Sequence, residues 1–101
     1  MSKGNSKTPK TEVIARTYRV QGRVQGVGFR YFVKQNADAL GLRGFVRNED
    51  DGGVLVYVLG DAEAVNRMAG AVRTGPRFSE VRGVEEKEAA PLKYNSFVIE
   101  R

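Results

Sequence analysis

The stretch GRVQGVGFR, residues 22–30, brings three glycines and two arginines, Arg23 and Arg30, to one point in the sequence. Gly26 and Gly28 reach positive φ cheaply, and alternating backbone conformations of that kind turn successive N–H groups toward a common centre, forming an anion-binding nest. A helix beginning near Phe29 would add its free N–H groups and the positive end of its dipole. Arg30 would contribute a permanent charge and a planar fork matched to two oxygens of a phosphate or carboxylate. Gln25, Val27 and Phe29 complete the loop backbone, with Gln25 and Phe29 offering main-chain N–H groups and Val24 and Val27 shaping or sealing it. Read by themselves, these residues allow two outcomes: an oxyanion cradle, or a plain chain turn beside a solvated arginine. The stretch is neither a G-x-x-x-x-G-K-[ST] phosphate loop, because it lacks the lysine and hydroxyl, nor a G-x-G-x-x-G dinucleotide fingerprint.

The elements that must carry this loop follow from periodicity. Residues 13–22 alternate, with Ile14, Tyr18 and Val20 on one side, and predict a strand. Phe29, Phe32, Val33, Asn36, Ala37 and Leu40 fall on one helical stripe that Gly41 stops. Residues 42–48 and 54–59 flank EDDGG, a composition expected of a turn between antiparallel strands. Ala62, Val65, Met68, Ala69 and Val72 mark a second helix over residues 61–74, with Asp61 as its N-cap and Gly75-Pro76 as its end. Residues 79–88 and 96–100 supply one or two further strands. The order predicts an α+β, ferredoxin-like βαββαβ sandwich: an antiparallel sheet of four to five strands with both helices on one face.

In its residues and spacing the sequence resembles the acylphosphatase family. The likeness rests on GRVQGVGFR at 22–30, GLRGFVRN at 41–48, DGGV at 51–54, GP at 75–76 and the final apolar strand, spanning about residues 14–100. The family resemblance implies a small ferredoxin-like enzyme that hydrolyses acyl phosphates to a carboxylate and inorganic phosphate, with no cofactor and no metal. By position it makes Arg30 the phosphate-binding residue, residues 25–30 the backbone cradle, and Asn48 the residue that orients the attacking water. Without the family, Asn48 reads as a turn residue ending a strand. Two departures stand out: Phe45 where tryptophan is common, and Glu49 within an acidic turn that would weaken attraction of an anion by a modest, salt-sensitive amount.

Independent chemistry agrees with that implication. The leaving group of an acyl phosphate is a carboxylate with a conjugate-acid pKa of about 4, so little protonation is needed at neutral pH. The chain has no histidine and no cysteine, which argues against Ser/His, Cys/His and ordinary zinc hydrolases and against thiol chemistry. Positioning and electrostatics remain, and backbone N–H groups, an arginine and an amide side chain suit both. The acids of NEDDGG do not follow the alternation of a calcium loop and read as solvated turn residues.

With 101 residues and 41% hydrophobic content, the chain fits a single domain. Residues 1–11 read as a disordered polar, basic tail and residues 12–101 as the folded domain. Lys3, Lys7 and Lys10 account for much of the net charge of +5, so the basicity is weak support for a nucleic-acid partner. RGFV at 43–46 has a partial likeness to an RNA-binding aromatic motif but lacks its alternating aromatics and lies on the second strand. A third reading is an anion- or partner-binding domain of this family without turnover. The expected protein is a cytoplasmic, soluble monomer acting on a small acyl phosphate, inhibited by inorganic phosphate, and partnered by neither nucleic acid nor membrane.

Overall fold

In the computed structural model, which describes residues 12–101, five strands and two helices follow the order β1 (Val13–Arg23), α1 (Phe29–Ala39), β2 (Arg43–Asn48), β3 (Val54–Asp61), α2 (Ala62–Thr74), β4 (Glu80–Ala89) and β5 (Phe97–Ile99). The sheet order is β4-β1-β3-β2-β5. Pairings β1–β3, β1–β4 and β2–β3 are antiparallel, as expected. The β2–β5 pairing is parallel, which makes the sheet mixed. Its physical reason is the long return of residues 90–96, which brings the chain back to the far edge beside β2 in the same direction. The predicted tail, residues 1–11, lies outside the described residues.

Alternation decides which residues meet the helices. Tyr18 and Val20 of β1, Val46 of β2, and Val54, Val56 and Val58 of β3 point to one face. Val33 and Ala37 of α1 and Val65, Met68 and Val72 of α2 close over them. Tyr18 is fully buried, and its hydroxyl donates to the Val65 carbonyl at 3.0 Å, joining β1 to α2. Burial, with a smaller contribution from Glu86, pushes the Tyr18 hydroxyl pKa up to about 12.

The opposite face of the sheet is also covered. Phe45 stacks on Tyr57 with centroids 5.6 Å apart, and Tyr94 tilts against both. The Tyr57 hydroxyl donates to the Ala90 carbonyl and accepts from the Leu92 N–H, each at 2.8 Å, which pins residues 90–94 across this face. Asp61 occupies the N-cap position of α2, but its side chain makes no capping hydrogen bond. Its backbone is still paired with Val13 in the sheet, and one carboxylate oxygen is buried without a partner among the described residues.

Candidate active site

A register shift between Gln21 and Gly22 in the β1–β4 ladder comes just before the glycine loop, where a bulge redirects the chain away from the sheet. Gly26 and Gly28 then adopt left-handed backbone conformations, with φ of 74° and 80°. Open space lies where a Cβ would stand at either position, so backbone conformation rather than crowding selects glycine there. Gly28 is also the N-cap of α1, with no side chain to satisfy the first N–H groups. The first turn carries no acid. A free cluster of N–H donors and an uncompensated dipole end therefore face outward, with Arg30 added to the same positive end.

Such a cation disfavours the helix by roughly 0.3–1 kcal/mol unless an anion offsets it. Arg30 makes no ion pair among the described residues. One of its Nη atoms donates to the Glu100 carbonyl at 3.2 Å, which steadies the guanidinium while leaving its other donors for a ligand. Glu100 is itself held by its N–H to the Val46 carbonyl at 2.9 Å, extending the β2–β5 pairing.

Asn48 ends β2 on the helix-facing side, two residues beyond the buried Val46. It lines the same recess as Gly26, Gly28 and Arg30, a hollow of about 190 Å³. Buried Val24 and Phe29 also border this recess, as do the more exposed Tyr31 and Ile99. The Asn48 Oδ1 is buried and has no hydrogen-bond partner among the described residues. A buried acceptor without a donor costs about 1–3 kcal/mol, a penalty that a water molecule or ligand donor would remove. Thus the structure brings the two singled-out side chains and the glycine loop to one small cavity.

Two residues make contacts beyond their sequence reading. Besides the main-chain N–H expected of it, Gln25 has a side-chain Nε2 that donates to the carbonyls of Glu49 and Gly53, both at 2.8 Å. The loop is thereby tied to the β2–β3 turn directly after Asn48. Glu49 is not a solvated turn acid: Arg19 and Arg47 both hold its carboxylate. Hydrogen bonding from Arg19, then from Arg47, keeps its carboxyl below the usual carboxylate range. Its charge is matched locally, which reduces the anion repulsion expected from the sequence. Asp51 accepts from the Gly53 N–H at 2.9 Å, a local turn contact.

The acylphosphatase family model matches residues 16–99. The chain belongs to the acylphosphatase family. It is 49% identical over 94 residues to the acylphosphatase of Solibacter usitatus (strain Ellin6076), covering 93% of this chain and 98% of that one. Identity to the Archaeoglobus fulgidus acylphosphatase is 44% over 87 residues, covering 86% and 98% of the two chains. The crystal structure of the acylphosphatase from Bacillus subtilis superposes with a TM-score of 0.84 at 38% identity, covering 89% of this chain and all of that one. Family membership makes the chain an enzyme with acylphosphatase activity, and its substrate class is a small acyl phosphate. No helix among the described residues is long and apolar enough to cross a membrane.

Proposed function

We propose that Arg30 and the backbone N–H groups of residues 25–30 bind the phosphoryl group of the acyl phosphate, while Asn48 orients the water that attacks phosphorus. The observation that carries this reading is the shared recess, where an arginine with no ion pair, a helix start with no side-chain cap and an amide oxygen with no donor among the described residues converge. Asn48 Oδ1 accepts a hydrogen bond from the water and so aims the oxygen lone pair at phosphorus. The P–O bond to the acyl group breaks, and the carboxylate leaves with its electron pair. In balance, RCO–OPO₃²⁻ and H₂O give RCO₂⁻ and H₂PO₄⁻. Arg30 and the loop N–H groups hold the equatorial oxygens throughout, as a loose phosphoryl-transfer transition state requires.

The nucleic-acid alternative has less support. An RNA-binding sheet needs exposed aromatics for base stacking, whereas Phe45 and Tyr57 lie beneath Tyr94 and the 90–92 segment. Charged residues along the outer strand β4, including Glu80, Arg82 and Lys87, discourage edge pairing between copies. This favours a monomer. We assign the protein to the cytoplasm, without a membrane or nucleic-acid partner.

The test is phosphate release from benzoyl phosphate by purified protein in excess chelator. Turnover is expected without added metal, with competitive inhibition by inorganic phosphate. Arg30→Gln and Asn48→Ala are each expected to lower kcat/KM by about 10²-fold or more, with circular dichroism unchanged. Full activity in both folded variants would remove these residue roles, and no hydrolysis by the unmodified protein would remove the mechanism as a whole.

A further inference from the structure

We propose that Tyr31 and Ile99 form a shelf for the acyl part of the substrate and make this enzyme selective for acyl phosphates with aromatic or extended apolar acyl groups. The inference rests on the roles given above to Arg30 and Asn48. In-line displacement places the attacking water and the leaving oxygen on opposite sides of phosphorus. With the water at Asn48, the acyl group must project from the side of the phosphoryl group away from that residue.

Size then determines where the acyl group goes. Clefts that engulf whole drug-sized ligands measure about 300–1,000 Å³, whereas this recess measures about 190 Å³. It has room for the phosphoryl group and the adjoining carboxyl, and anything larger meets the rim. Tyr31 is 62% exposed and Ile99 38% exposed, and both border this recess. Tyr31 stands in the first turn of α1, where side chains lean toward the helix N-terminus and hence toward the glycine loop. Ile99 pairs with Val46 in register and shares its helix-facing side of the sheet. Two largely apolar side chains from separate elements are thus exposed at the mouth of the recess that holds Arg30 and Asn48.

The other side of Asn48 offers the opposite chemistry. A shallow depression of about 490 Å³ there is bordered by Glu49, Asp50 and Asp51 together with Arg47 and Arg101. Its ionic lining suits water rather than an apolar acyl group. Water therefore enters from the charged side, and the acyl product leaves over Tyr31 and Ile99.

The experiment compares kcat/KM for benzoyl phosphate and acetyl phosphate in the unmodified protein and in Tyr31→Ser, Ile99→Ser and Tyr31→Phe. An open apolar rim discriminates less than a closed pocket, so each serine variant is expected to lower the benzoyl-to-acetyl ratio by about threefold to tenfold. Tyr31→Phe keeps the ring and is expected to keep the ratio. Competitive inhibition by inorganic phosphate, measured on every variant, reports whether the phosphate cradle is intact. A ratio within about twofold of the unmodified value in both serine variants would overturn the shelf. Unaltered hydrolysis of both substrates by Arg30→Gln is a separate result: it would remove the underlying reading, and the shelf with it.

Discussion

Gln25 illustrates how one side chain can set the distance between two halves of a site without touching the substrate. Its amide bridges two carbonyls of the β2–β3 turn, so the glycine loop is tied to the chain directly after Asn48. In Gln25→Ala those two hydrogen bonds, each worth about 0.5–1.5 kcal/mol net, are lost. We expect kcat to fall by about tenfold through displacement of Asn48, with inorganic phosphate binding much less affected because the loop N–H groups and Arg30 remain. Steady-state kinetics with phosphate as inhibitor check this split; an equal loss in both would mean that Gln25 merely holds the loop in shape. Glu49 shows the complementary limit of reading residues in isolation. Its acidity was legible, but its neutralisation by Arg19 depends on a partner 30 residues away on another strand.

At the scale of elements, what periodicity reveals is local and what it hides is pairing. The stripe of α1 and the alternation of β1 and β3 each lie within a dozen consecutive residues, and the structure places them close to the expected bounds. The direction of β5 was not legible, because a three-residue strand carries almost no pattern and its partner is about 50 residues distant. The second apolar layer was hidden for the same reason: Phe45, Tyr57 and Tyr94 come from three separate segments. Gly26, Gly28, Arg30 and Asn48 were recognisable as a set through the family resemblance, whereas the rim made by Tyr31 and Ile99 emerged only from folding.

The contact between β1 and α2 yields a pH prediction. Because folding raises the Tyr18 pKa to about 12 from an ordinary 10.0, the folded state holds this proton more tightly than the unfolded one. The associated stabilisation is complete below about pH 10 and is lost as pH rises toward 12. Tyr18→Phe is expected to lower stability by about 1 kcal/mol at neutral pH and to flatten the alkaline decline. Urea unfolding at pH 7, 10 and 11 measures both effects, and an unchanged alkaline slope in the variant would contradict the assignment.

For the whole molecule, net charge and catalysis separate. Removing residues 1–11 takes away Lys3, Lys7 and Lys10 and lowers the formal charge from +5 to +2, while every side chain assigned to the site remains. The truncated chain is expected to retain kcat, with at most a small, salt-sensitive rise in KM from weaker attraction of the anionic substrate. Kinetics at low and high ionic strength check this; a loss of kcat that persists at high salt would place a catalytic contribution in the removed segment.

The short strand β5 makes the active arginine depend on one of the least extensively paired parts of the fold. Phe97 is its only buried residue, and the carbonyl that steadies Arg30 belongs to Glu100, immediately beyond the strand. Sheet edges of this kind open by sub-global fluctuations at a lower free energy than the core. Amide hydrogens of residues 97–100 should therefore exchange with solvent earlier than those of β1 and β3. In mild denaturant, catalytic activity should then decline before the tertiary signal does, with the fraying of four residues preceding the melting of the core.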